Sequence, residues 1–249
     1  MLILVSPTKT MKEKIVDEEE PLFFSTISKE IIKELKQLEV TNIKKLMKVN
    51  DKIAMLNYER FQGFVFDHKG TKALDAYQGL QYQYMNIDTI NKEEQTYVNR
   101  HLRILSGLYG LLQPNHVIYP YRLEMQTKLS VNKAIDLYAL WEDKISNLLL
   151  KELEEHKEKV IVNLASNEYS KVLNDSCKKY MITIKLMIKK NGVLKSLSTH
   201  VKMGRGRFAS YLIKNKVETK EQLKAFQEDG YTYNELLSNE HEYVFVKSI

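Results

Sequence analysis

Cysteine is nearly missing from this chain. Cys177 stands alone among 249 residues, which excludes an internal disulfide and any multi-cysteine metal site and fits a reducing cytoplasm. Long apolar runs are missing too. The opening Met1 to Val5 stretch is broken by Ser6-Pro7, and no later run nears the roughly 18 residues that a membrane span needs, so the expectation is a cytoplasmic protein, neither secreted nor inserted in a membrane. His68, His101, His116, His156, His200 and His241 are scattered, and none forms an HExxH-like unit, so no metal site is expected. No G-x-x-x-x-G-K-[ST] loop, no G-x-G-x-x-G after a strand and no G-x-S-x-G elbow occurs. Nucleotide hydrolysis, dinucleotide redox chemistry and esterase chemistry therefore lack their signatures, and no cofactor is expected. With 9 glycines, 4 prolines and no repeat, low-complexity tract or linker, the chain reads as one domain over residues 1–249.

What is present is apolar material for a core, 43% of residues with 10% aromatic, and an uneven charge. The formal net charge is +6, yet from Ser176 to Val217 there are 11 basic residues and no acid. The remainder holds 27 basic against 32 acidic residues, so one contiguous stretch carries the whole positive excess. A polyanion-binding surface has this character if folding gathers the residues. A solvated hairpin whose lysines only confer solubility accounts for the charge equally well.

The periodicities predict a mixed α/β body: a central mixed sheet flanked by helices, with a helical hairpin appended. Residues 2–5 read as a short buried strand, with Ser6 to Thr10 the polar turn that leaves it. After the acidic run Asp17 to Glu20, Ile31, Ile32, Leu35 and Leu38 mark an amphipathic helix that Ser28 would cap. Thr41 would cap a helix over Ile43 to Val49, and Asn50 or Asp51 a second over Lys52 to Phe61. Two short helices joined tightly, with Lys44, Lys45, Lys48 and Lys52 near the junction, suit a backbone-phosphate grip, although an ordinary helical hairpin has the same pattern. Leu102 to Leu112 is helical in pattern. Residues 135–153 form the clearest core helix. Met181 to Lys189 and Val193 to Val201 alternate around Asn191-Gly192, a two-stranded ribbon. It leads into Lys202-Met203-Gly204-Arg205-Gly206-Arg207, read as a glycine-flanked arginine loop able to approach phosphate, and then a helix from Phe208 to about Asn215. Thr219 with Gln222 reads as a capping box, and Glu242 to Lys247 as a last strand.

Two polar turns follow apolar strands, Ser6 to Thr10 after the first and Ala165 to Lys171 after Val160 to Leu164. In α/β proteins ligands bind beyond the carboxyl ends of strands, and two such turns in one sheet could converge, although Ser166 or Asn167 capping the next helix accounts for the second turn as well. The tyrosine-rich middle, with Tyr109 and Tyr121 beside Arg100, Arg103 and Arg122, suits either half-buried packing or stacking on bases. Glu124, Glu168 and Asn163 are the candidate catalytic residues if they meet in a cleft, where they would activate water or steady a cationic transition state in hydrolysis of an N-glycosidic or phosphate ester bond. Singly, each acid has an arginine to pair with.

Met1 to Thr10, Ala76-Tyr77-Gln78-Gly79-Leu80, Leu102 to Pro114, Pro120 to Met125 and Asn163 to Lys171 together resemble the YaaA family of bacterial peroxide-stress proteins, along nearly the whole chain. The resemblance implies a cytoplasmic α/β protein that binds DNA through a positively charged cleft, carries a helix-hairpin-helix-like element at about Thr41 to Phe61, and limits iron-dependent damage under hydrogen peroxide. Carried over by position, the cleft residues are Lys9, Arg103, Arg122, Lys171, Arg205 and Arg207. Thr10, Tyr109, Tyr169, Lys202 and the hairpin lysines Lys44, Lys45 and Lys48 complete the candidate DNA contacts. Gln126 stands where the family usually has Gly, and Met203-Gly204 where Lys-Ala is usual.

The expected partner is thus DNA, bound through its backbone by a monomer and without sequence specificity. The competing class is an enzyme acting on nucleic acid or a nucleotide-like substrate in the same cleft. A third is an interaction protein whose basic ribbon docks an acidic partner.

Overall fold

The computed structural model describes residues 1–18, 20–66 and 69–248; Glu19 of the acidic run and His68 lie outside them. Eight strands form one mixed sheet: β1 (Leu2–Val5), β2 (Leu102–Ser106), β3 (Gly110–Leu112), β4 (Ile161–Asn163), β5 (Met181–Lys190), β6 (Val193–Lys195), β7 (Thr232–Tyr233) and β8 (Glu242–Ser248). Their spatial order is β7-β8-β5-β4-β1-β2-β3, with β6 paired to β5. The inner five strands, β8-β5-β4-β1-β2, are all parallel, and the antiparallel partners β3, β6 and β7 sit at the margins. Parallel strands are covered on both faces and so read as continuous apolar runs. Accordingly Leu2 to Val5 are all fully buried, as are Ile161 and Val162.

The helices used below are α1 (Ser25–Lys36), α2 (Val40–Met47), α3 (Asp51–Gln62), α4 (Leu80–Met85), α5 (Lys92–His101), α6 (Leu137–Leu153), α7 (Asn167–Ser170), α8 (Ser198–Lys214) and α9 (Lys220–Lys224). The core helix α6 and the last strand β8 fall where the periodicity puts them. So do the ribbon turn at Asn191-Gly192, whose left-handed φ values are 50° and 78°, and the Thr219–Gln222 capping box. Asn50 caps α3, its Oδ1 accepting from the Ile53 N–H at 2.9 Å. Ile43, Ala54 and Phe61 are buried in the common core, so the helical pair is anchored in the body. No helix among the described residues is long and apolar enough to cross a membrane.

Several local expectations are corrected. Ser28 lies inside α1, not before it, and its hydroxyl is turned inward to the carbonyls of Phe24 and Leu108, each at 3.1 Å. The helix α2 begins at Val40, with Glu39 in the cap position, so Thr41 caps nothing. Leu102 to Leu112 is not helical but the β2–β3 hairpin. The helix of that region is α5 just upstream, fixed by a capping box of Asn91 and Glu94. Gly110 has φ of +71°, and a Cβ there would lie 2.7 Å from the Trp141 ring, so the hairpin closes against α6 only with glycine. The second ribbon strand ends at Lys195, not Val201.

The largest correction concerns the arginine loop, which does not exist. The helix α8 starts at Ser198, ten residues before Phe208, and carries Lys202 to Arg207 in its middle. Its glycines serve close helix packing instead: a Cβ on Gly204 would meet Leu186 Cδ1 at 2.7 Å, and one on Gly206 would meet the Gln81 carbonyl of α4 at 2.3 Å. Helix regularity then lines up Lys202 and Arg205, three apart, on one face.

Candidate nucleic-acid interface

The connections out of the sheet diverge at its centre. From β1 the chain departs to β2 on one side, and from β4 it departs to β5 on the other. A crevice forms beyond the carboxyl ends of two neighbouring parallel strands whose connections part in this way. Here it is closed at its base by the two polar turns. The Ser166 N–H donates to Ser6 Oγ at 2.8 Å, Tyr82 Oη donates to the Ser6 carbonyl at 3.0 Å, and Gln81 Nε2 donates to the Leu164 carbonyl at 3.2 Å. The turns therefore do converge.

A hollow of about 450 Å³ opens above them, walled by the Ser6 to Thr10 turn, Gln78 to Gln81, Tyr121 to Glu124, Glu168, Tyr169, Lys202 and Arg205. A second hollow continues from it. The two share Lys9, Arg122 and Glu124, and the second runs on past Gln126 and Lys128 to Lys45 and Lys48 of the helical pair. Cations from four distant parts of the sequence thus line one groove.

Their states differ. Arg122 gives two hydrogen bonds to Glu124 Oε1, at 2.9 and 3.2 Å, and Lys9 Nζ reaches the same oxygen at 3.2 Å. Glu124 thus spends its charge on two cations. Lys202 forms no ion pair among the described residues, and Arg205 has a buried Nε with no acceptor, burial drawing its pKa down. Glu168 is half-buried, and one of its carboxylate oxygens, Oε1, lacks a partner. Burial and the neighbouring Glu124 raise its pKa, while Lys9, the Gln126 N–H and Lys171 act the other way. Lys171 lies outside the hollow wall, its Nζ 4.2 Å from the Tyr138 ring centroid; Tyr138 in turn donates to the Glu168 carbonyl at 2.7 Å. Thr10 lines the turn side of the hollow, its carbonyl accepting from Thr8 Oγ1 at 2.6 Å. Tyr169 is buried against the floor, its hydroxyl pKa raised first by that burial.

The structure leaves the other candidates elsewhere. Arg103 is 4% exposed and clamps Glu152, with Nε at 2.9 Å and Nη2 at 2.8 Å, while Nη1 donates to the Asn99 and Leu102 carbonyls. It is a buried structural pair. Tyr109 is buried and accepts the Tyr119 N–H at 3.0 Å. Asn163 lines neither hollow; its Oδ1 accepts from the Ala165 N–H at 2.9 Å and its Nδ2 donates to Thr183 Oγ1, which shapes the turn that carries Glu168. Arg207 stacks over the Tyr84 ring at 4.7 Å, with Asp229 3.7 Å from its Nε. Lys44 is paired with Asp51 at 2.7 Å. Conversely, Gln81 and Lys128 line the groove without any sign in the sequence, because an isolated amide or lysine has no pattern to distinguish it.

Chemically, the groove offers cations for phosphate oxygens along its length and two carboxyls at its inner end. Among the described residues no group of three His, Cys, Asp or Glu is arranged to hold a metal ion. The profile of the family described as "Peroxide stress protein YaaA" matches residues 1–237. Similar proteins include a UPF0246 protein of Clostridioides difficile, 40% identical over 99% of this chain and 100% of its own length, and a UPF0246 protein of Saccharophagus degradans, 40% identical over 99% of each. Another, from Crocosphaera subtropica, is 36% identical over 99% of this chain and its own full length.

Proposed function

The chain belongs to the YaaA family of peroxide stress proteins, and from that premise we propose that it acts in peroxide stress by gripping the DNA backbone in the cationic groove. The observation that carries this reading is the joining of the two hollows through Lys9 and Arg122. It makes one track from Lys202 and Arg205 to Lys45 and Lys48, along which Lys9 and Arg122 share one carboxylate, that of Glu124. The helical pair then serves as a helix-hairpin-helix-like element. Lys48 supplies the left-handed turn at its junction, with φ of 52°, where glycine is more usual. Both walls come from one chain, so a monomer in the cytoplasm suffices. Ferrous iron and hydrogen peroxide damage DNA, and a protein that covers the backbone protects it without binding iron itself.

The test is binding of a labelled 20-base-pair duplex between 50 and 200 mM salt, read by fluorescence anisotropy. Each phosphate neutralised contributes a slope of about −0.9 in log K against log salt, so five or six contacts predict a loss of roughly a thousandfold in affinity. Lys45→Glu with Lys48→Glu should lower both affinity and slope. An affinity that ignores salt would overturn the reading. Glu168 favours a second reading, an enzyme working on nucleic acid in the same groove, for which turnover should vanish in Glu168→Gln.

A further inference from the structure

The inner end of the groove differs from the rest. A duplex backbone needs only an open cationic surface, whereas this end is a crevice between β1 and β4 with a half-buried carboxyl, a buried guanidinium nitrogen without an acceptor, and apolar sides from Pro7, Leu80 and Leu123. Its volume of about 450 Å³ falls in the range of small-ligand sites and is too small for any part of a double helix. We propose that this crevice is a receptor for one nucleotide unit, with the phosphate held by Arg205 and Lys202 and the sugar or base edge hydrogen-bonded by Glu168.

The crevice holds unmet hydrogen-bonding capacity. Buried polar atoms without partners are rare and costly in a settled fold, and two of them, Arg205 Nε and Glu168 Oε1, belong to side chains that line the same hollow. One is a donor that wants an anion. The other is a carboxyl oxygen that, once protonated, is both donor and acceptor, as a base edge or sugar hydroxyl requires. An anion entering here is repelled by two ionised carboxylates. Glu124 is already balanced by Arg122 and Lys9, which leaves Glu168 as the group that must take up a proton. Its pKa is raised by burial and by Glu124, against the opposing effects of Lys9, the Gln126 N–H and Lys171, so that uptake is easier than for a carboxyl in water. Ligand binding and protonation of Glu168 are therefore linked. The ligand has two sources of the same chemistry: a free nucleoside monophosphate, or a nucleotide swung out of a strand lying in the groove, as proteins that act on single bases require. The second source rests on the groove reading above; the first does not.

Calorimetric titration of the full chain with the four 2′-deoxynucleoside 5′-monophosphates, the matching nucleosides and inorganic phosphate tests the site. At least one monophosphate should bind tenfold or more tighter than both its nucleoside and phosphate, and Arg205→Ala should abolish that margin. Between pH 5.5 and 8 the wild-type affinity should fall more steeply than that of Glu168→Gln, whose amide keeps a donor at every pH. Titration of the phosphate itself is common to both proteins and cancels. A duplex with one extrahelical nucleotide is then compared with the same duplex abasic at that point. Tighter binding of the first assigns the strand as source, and equal binding assigns the free nucleotide. If no monophosphate exceeds phosphate and the extrahelical nucleotide adds nothing, or if Glu168→Gln keeps the wild-type pH slope, the proposal is wrong. The Lys45→Glu, Lys48→Glu protein separates the two ideas, because it should lose the duplex while keeping the monophosphate.

Discussion

At the scale of single residues, the same side-chain type does opposite work depending on what surrounds it. Arg205 lines the groove and has a buried nitrogen without an acceptor, while Arg103 is exhausted by Glu152 and two carbonyls. Removing one member of a buried pair leaves the other charge without compensation, so Arg103→Met should cost about 3 kcal/mol in urea unfolding. Duplex affinity per folded molecule should stay unchanged; a large drop would return Arg103 to the interface. His116 makes a second case. It is 1% exposed, edge-on to Phe23, and its Nδ1 accepts from the Gln113 N–H at 3.1 Å. Burial lowers its pKa to about 4 from 6.5. The unfolded chain accepts a proton that the native state refuses. The stability present above about pH 6.5 is therefore lost as pH falls toward 4, by about 3 kcal/mol from this group. His156, lowered to about 3 by burial first, acts in the same direction. Urea midpoints measured from pH 8 to pH 4 should decline, and His116→Gln should decline less. A flat wild-type profile would contradict the burial argument.

At the scale of elements, what was legible in the sequence was what a periodicity of two or 3.6 encodes. The strands β1, β4 and β5, the helix α6, the Asn191-Gly192 turn and the Thr219 capping box all follow from patterns within a dozen residues. The convergence of the two polar turns was only a possibility there, since it needs β1 and β4 to lie side by side and parallel. What was not legible depends on partners distant in the chain. Gly204 and Gly206 look like a flexible loop until Leu186 and Gln81 are seen against them, and Gly110 looks like a helix end until Trp141 is in place. Arg103 reads as a cleft cation because Glu152, its partner, is 49 residues away. The α8–α4 contact gives the clearest test. Alanine at position 206 gains up to about 1 kcal/mol in helix propensity, but its methyl would sit 2.3 Å from the Gln81 carbonyl and 2.7 Å from Tyr84 Cβ. Overpacking against backbone should win, leaving Gly206→Ala about 2 kcal/mol less stable. Because Gln81 and Arg205 flank the same hollow, nucleotide and duplex affinity should fall with it. A stabilised variant would mean that the two helices part freely.

At the scale of the whole molecule, the fold disperses the positive stretch that dominates the charge map: Lys185, Arg207 and Lys216, for instance, pair with Glu242, Asp229 and Glu93. Lys202 and Arg205 enter the groove, but Lys189, Lys190 and Lys195 lie on the ribbon of β5 and β6 and line neither hollow. The sheet's direction still connects them. β1, β4 and β5 are parallel, and β4 pairs with β5 only as far as Thr183, so the remaining seven residues carry β5 about 23 Å past its pairing with β4. They extend toward the carboxyl edge at which the groove opens. All three lysines are exposed, and none forms an ion pair among the described residues. A backbone leaving the groove on this side would meet them and lengthen the track. Changing Lys189, Lys190 and Lys195 together to Gln should therefore reduce the salt slope for duplex binding by about 2 to 3, at about 0.9 per lost contact. Nucleoside monophosphate binding in the crevice should not move. If the slope instead matches wild type, the ribbon serves solubility, and the groove alone holds the DNA.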